Sequence, residues 1–146
     1  MIEIYSNFTD WVPWPNREQQ LKAEVLSSPG VYVICARMDM TSIGKPVPSS
    51  RLLYVGETCG QTLKMRINQF DRSAFRGMRA HSGGKTFNNR ARDMPSAHDL
   101  LVAVLPVRVD KPKDKPKQSA FIRYVERAII WQHVLHHDDT PICNSK

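Results

Sequence analysis

The sequence is short of the features that would place it outside the cell or in a membrane. Its three cysteines, Cys35, Cys59 and Cys143, are odd in number and show no CxxC spacing. That excludes a fully paired disulfide framework and the paired-cysteine zinc and redox motifs. No apolar run approaches the roughly twenty residues of a membrane helix. The N-terminus, with Glu3 and Asp10 and no charged leader, does not read as a secretory signal. The expected location is the cytosol. Acid is scarce as well: 14 Asp and Glu stand against 21 Lys and Arg, a formal net charge of +7. With a sequence pI near 9.6, the chain is suited to an acidic partner. Internal repeats are absent, and 146 residues suffice for a single core without covalent staples.

What is present alternates between strand and helix patterns. Ile2 to Phe8 alternates apolar and polar residues and is expected to form a short edge strand. Trp11-Val12-Pro13-Trp14-Pro15 cannot be helical, because proline removes donors and restricts the residue before it. Asn16 is a suitable N-cap for a helix over Arg17 to Ser27, which Pro29-Gly30 ends. Val31 to Met38 and Leu52 to Gly56 read as strands joined by a Gly- and Pro-containing loop. Thr62 caps a helix from Leu63 to about Phe75. The polar stretch from Arg76 to Asp93 is expected as loop with short helical turns. Leu100 to Val109 suits a central strand with Pro106 at its edge. After the connector Asp110 to Lys117, Ser119 is expected to cap the strongest helix, Ala120 to about Leu135, before a tail from Thr140 to Lys146.

Chemistry-bearing residues stand out against this frame. Gly30-Val31-Tyr32 and Tyr54-Val55-Gly56 place two phenols on neighbouring strands, and a buried Tyr must find a partner for its hydroxyl. Between Lys64 and Arg92 the chain carries Lys64, Arg66, Arg72, Arg76, Arg79, Lys85, Arg90 and Arg92 against Asp71 alone. A solvated face is the plain reading of a charge run. Eight cations to one anion, without the interspersed acids of an ordinary surface, favour a surface that follows phosphates.

Glu126 sits among Ile122, Val125, Ile129 and Ile130 at helical spacing. A desolvated carboxylate there needs compensation. An internal ion pair with Arg123 or Arg127 would provide it, and so would a divalent metal held by a hard oxygen ligand. His133, His136 and His137 have zinc-compatible spacing but no cysteine pair, and a polar helix end explains them better. Ser82-Gly83-Gly84-Lys85 lacks the spacing of a phosphate-cradling P-loop.

The order GVY, YVG, a helical Arg66, His81-Ser82, Glu126 in an apolar helix and Pro141-Ile142-Cys143-Asn144 resembles the GIY-YIG nuclease family over roughly Gly30 to Asn144. The resemblance implies a small single-domain α/β fold, a central three-stranded antiparallel sheet flanked by helices, with residues 1–29 an extension packed on it. It implies a metal-dependent endonuclease that hydrolyses phosphodiester bonds in DNA, with single-strand cleavage or nicking expected of one protomer. The implied catalytic residues are Tyr32, Tyr54, Arg66, His81, Glu126 and Asn144, and Glu126 would hold Mg²⁺ or Mn²⁺. Tyr32 takes the general-base role and Tyr54 a positioning role, with His81 as a base or relay suited to neutral pH. Lys64, Arg72, Arg76, Arg79, Lys85, Arg90 and Arg92 would contact single- or double-stranded DNA, and the protein is expected as a monomer or weak dimer without a small-molecule cofactor. Two departures stand out: the loop between the tyrosine motifs is enlarged, and Phe70 lies one turn beyond Arg66, where some members carry a histidine. The competing readings are a non-catalytic nucleic-acid-binding module and an RNA-processing nuclease of the same fold.

Overall fold

The computed structural model describes residues 3–40 and 44–144. Ile2, at the start of the expected first strand, and the last two tail residues fall outside them. Four strands form one antiparallel sheet: β1 (Val12–Pro13), β2 (Gly30–Ala36), β3 (Tyr54–Thr58) and β4 (Leu100–Pro106). Their spatial order is β1-β4-β2-β3. The expected three-stranded sheet is therefore corrected to four. The addition is β1, in which Val12 pairs with Val102 and Pro13 with Leu101. Such a two-residue pairing leaves no periodic trace in a sequence, and proline tolerates only an edge position. The sheet thus draws on residues before Gly30.

Strands β2 and β4 are buried almost throughout, which explains their continuous apolar runs: both faces are covered. On one face Tyr32, Ile34, Tyr54, Val102 and Val104 pack with Leu63, Ile67, Phe70 and Phe87. Those last four come from α3 (Leu63–Arg76) and α4 (Ser82–Asn89). On the other face Val31, Val33, Val55, Leu101 and Ala103 meet Ile122, Val125 and Ile129 of α5 (Lys115–His137). The result is a sheet sandwiched between helices, with β3 as an edge strand beside both layers.

Local expectations fail where burial overrides pattern. Tyr5–Asn7 forms a 3-10 turn rather than a strand, so that Tyr5 and Phe8, three residues apart, both turn inward. The helix expected from Arg17 divides into α1 (Arg17–Gln20) and α2 (Ala23–Leu26). The break falls at Leu21, which adopts extended backbone and is buried. α4 replaces part of the expected loop, and α5 begins at Lys115 rather than after Ser119. Pro116 lies in its first turn, where no backbone donor is needed. Trp14 is buried, meets Phe70 edge-on at 5.6 Å and donates from Nε1 to Asp71 at 2.7 Å. That fastens the N-terminal segment to α3. Among the described residues no helix is long and apolar enough to cross a membrane.

Candidate active site

Strand register brings the two motif tyrosines together. Tyr32 stands opposite Gly56 and Ile34 opposite Tyr54, so the phenols are diagonal neighbours on the α3 face. Their ring centroids are 5.9 Å apart. Gly56 is needed for this arrangement. A Cβ there would lie 2.3 Å from the Tyr32 ring, so only glycine lets that ring cross the strand toward the β3 edge. Gly83 does the same for Tyr54, whose ring would also lie 2.3 Å from an added Cβ. The glycines of α4 serve close packing of that helix rather than a phosphate cradle.

His81 joins from the N-cap of α4. The Gly84 N–H donates to its Nδ1 at 3.1 Å, which assigns the ring proton to Nε2. Nε2–H then donates to the Tyr32 hydroxyl oxygen at 2.5 Å. The His81 ring also lies edge-on to Phe70 at 5.2 Å and to Tyr54 at 5.4 Å. Burial first, and Arg66 second, push its pKa down to about 3. His81 is thus a neutral group with both nitrogens engaged, and not the titrating base expected from its ordinary pKa.

The two phenols differ in access. Tyr32 is fully buried, whereas Tyr54 keeps 9% of its surface. Burial pushes Tyr32 well above the ordinary tyrosine range, and the neighbouring Tyr54 adds to the effect. Tyr54 is pushed up to about 12 by burial, with Arg66 opposing and Glu126 reinforcing the shift. The two phenols also act on one another, which pushes Tyr32 further up. The Tyr32 oxygen thus accepts from His81, and its own hydroxyl proton is left for another acceptor.

Arg66, half-buried on α3, donates from Nη1 to Gln69 Oε1 at 2.7 Å, and Gln69 donates to Gln61 at 2.9 Å. Among the described residues no carboxylate lies within ion-pair distance of it. Its charge is felt at Tyr32, Tyr54 and His81 alike. Glu126 faces the same edge from α5. Its side chain is 20% exposed, and its ion pair with the solvent-extended Arg127 is long, 3.8 Å. Burial and then Glu57 raise its pKa, with Arg127 only partly opposing them. An anion so placed fits a hydrated divalent ion, since Mg²⁺ commonly takes one or two protein carboxylates and keeps its waters. Among the described residues there is no cluster of three or more metal-binding side chains.

Asn144 has a different position from the rest. Its Nδ2 donates to the Val55 carbonyl and its Oδ1 accepts from the Val55 N–H, both at 2.9 Å. The amide thus pairs with the outer edge of β3 as a neighbouring strand would, and Cys143 N–H donates to Leu53 O alongside. Of the expected DNA-contacting residues, Arg76, Arg79, Lys85, Arg90 and Arg92 are exposed, and Arg72 is half-buried. They lie on α3, α4 and the turns that follow each helix. Lys64 is set apart by an ion pair with Glu18 at 3.2 Å. His133, His136 and His137 donate to the carbonyls of Asp139, Gln132 and Ser49, so they close a helix end.

Glu57 lies outside the tyrosine motifs, and the sequence does not mark it for this edge. It acts electrostatically on Tyr32, Tyr54 and Glu126 and accepts from Cys59 Sγ at 3.1 Å. Ending the strand at Gly56 hid it; β3 runs on to Thr58, and strand alternation turns Glu57 toward the α5 side. Gln61 and Gln69 carry no signal in the sequence at all. Comparison with family models, with curated proteins and with solved structures finds no match to this chain.

Proposed function

We propose that the protein is a metal-dependent endonuclease of the GIY-YIG kind, hydrolysing phosphodiester bonds in DNA and cutting one strand per catalytic centre. One observation carries the reading. Tyr32, Tyr54, His81, Arg66 and Glu126, drawn from two strands, a helix N-cap and two helices, act on one another at a single sheet edge. The arginine there lacks a carboxylate partner among the described residues, and the carboxylate lacks full compensation. A structural network would have joined the two. A site for an anionic substrate keeps them apart.

In this reading the base role moves from Tyr32 to Tyr54, because Tyr32 is fully buried whereas Tyr54 keeps 9% of its surface. Tyr54 accepts a proton from the attacking water while the Tyr32 hydroxyl donates to its oxygen. His81 Nε2–H holds the Tyr32 oxygen and so fixes the direction of the chain. Arg66 offers its planar guanidinium to the phosphate oxygens and stabilises the charge that develops on them. Glu126 would hold the Mg²⁺ or Mn²⁺, which when bound supplies Lewis-acid stabilisation of the phosphate and leaving oxygen. Asn144 acts through β3 as a positioning residue.

The test is cleavage of end-labelled single-stranded DNA, duplex DNA and RNA with Mg²⁺, Mn²⁺ or EDTA, by wild type and by Glu126→Gln. Metal-dependent cutting that falls at least about a hundredfold in the variant, roughly 2.7 kcal/mol, is expected. Full activity of Glu126→Gln with unchanged metal dependence would sink the role of Glu126. Binding without cutting on every substrate would leave a non-catalytic module.

A further inference from the structure

Helix α5 is apolar on two sides. Ile122, Val125 and Ile129 face the sheet, yet Phe121, Tyr124, Trp131 and Leu135 are 48, 47, 59 and 52% exposed. With Ala128 between them, half-buried at the margin of the sheet-side core, the spacing of these residues is three, four, three and four, the 3.5-residue period of a helix–helix seam. We propose that this seam is the contact between two copies of the chain, α5 packed antiparallel on α5 about a two-fold axis at Ala128.

The order of residues along the seam selects a second copy as its occupant. Rotation about the axis at Ala128 sets Phe121 level with Leu135 of the partner subunit and Tyr124 within one residue of Trp131 of the partner subunit. Large side chains meet large ones away from the axis, and the smallest residue lies where the helices approach most closely. The charges at the seam ends select the antiparallel direction. The seam runs from Lys117 to Asp138-Asp139, so antiparallel packing joins unlike charges where parallel packing would join like ones. Arg127 approaches its own symmetry mate near the axis, a repulsion eased by its 82% exposure and its pairing with Glu126.

Area is sufficient. Four half-exposed large side chains offer roughly 400 Å² per protomer, and a 23-residue helix, about 34 Å long, adds polar flanks toward the ~800 Å² of a standard interface. A cleft of about 360 Å³ lined by Ile4, Leu105, Val107, Phe121 and Tyr124 opens beside one end of the seam and gives a partner side chain a recess. Glu126 lies about 160° round the helix from Ala128, so the pairing leaves both candidate sites open. If each site cuts one strand, as proposed above, the dimer carries the two centres that duplex cleavage needs.

The experiment is sedimentation velocity across a wide concentration series, which does not depend on activity. Wild type is expected to reach twice the 16.7 kDa chain mass, and Trp131→Glu to stay monomeric with unchanged helix content by circular dichroism. Lys117→Glu and Asp139→Lys should each weaken the dimer several-fold, and the double variant should recover it. A wild type that is monomeric throughout, or a dimer indifferent to Trp131→Glu, would overturn the proposal. Failure of the double variant to recover would overturn the antiparallel geometry.

Discussion

Between Tyr32 and Tyr54 the difference is one of access and polarity, and it makes the two residues separable by mutation. Tyr54→Phe removes the proton acceptor and is expected to lower the cleavage rate by about a hundredfold or more. Tyr32→Phe removes a donor to Tyr54 and the acceptor of His81 Nε2–H, and should cost less, about ten- to thirtyfold, roughly 1.4–2 kcal/mol. Single-turnover cleavage by both variants checks the ranking, and equal losses would return the base role to an open choice. The pH profile gives an independent check. Tyr54 is pushed up to about 12, so its ionised fraction grows tenfold per pH unit over the neutral range. The rate should therefore rise with pH from about 6 to 9. His81, held near 3, is neutral throughout that window, so no inflection is expected around the ordinary histidine pKa of about 6.5.

Edge strand β3 carries the candidate site, and its outer backbone is satisfied by a side chain instead of a fifth strand. Asn144 pairs with both polar groups of Val55, and truncation would leave a buried N–H and C=O without partners. Asn144→Ala is expected to destabilise the fold by about 1–3 kcal/mol, measured by denaturant unfolding at neutral pH. If the change alters cleavage without altering stability, Asn144 acts on substrate directly. The same element shows how far local patterns reach. β2, β3 and β4 were legible as short apolar runs bounded by turn residues, and α3 and α5 as apolar residues repeated at helical spacing. α4 was not, because a Gly-Gly pair has low helix propensity. It forms because His81 caps it and because Phe87 buries between Phe70 and Phe75. The tyrosine pair, Arg66 and Glu126 could be read from residue order alone, whereas the contribution of Glu57 depended on where β3 ends.

Across the whole molecule the cationic excess gathers on the α3–α4 layer, beside His81 and Tyr54. Apart from Lys64, its exposed members have no acidic ion-pair partner among the described residues. Binding of a DNA oligonucleotide by non-cutting Glu126→Gln protein should weaken steeply with salt, since each neutralised phosphate releases counterion. Replacing Arg76 and Arg79 together by Ala should make the log–log salt slope shallower by about 2 on duplex DNA, roughly 0.9 for each phosphate left without its arginine. Lys64→Ala, already paired with Glu18, should change it little. A slope untouched by the Arg76 and Arg79 changes would place the phosphate track elsewhere.

The sequence by itself determined the class of the molecule: a cationic α/β chain with two tyrosine-bearing strands, a basic segment and a carboxylate in an apolar helix. These follow from composition and periodicity, which are properties of neighbours along the chain. The tertiary structure decided what depends on neighbours in space. It added β1 to the sheet, split the first helix at Leu21 and turned Gly56 and Gly83 into seats for aromatic rings. It also made His81 a neutral donor by burying it, and left Tyr54 less deeply buried than Tyr32. Desolvation and register set those outcomes, and both come into being only when distant segments pack.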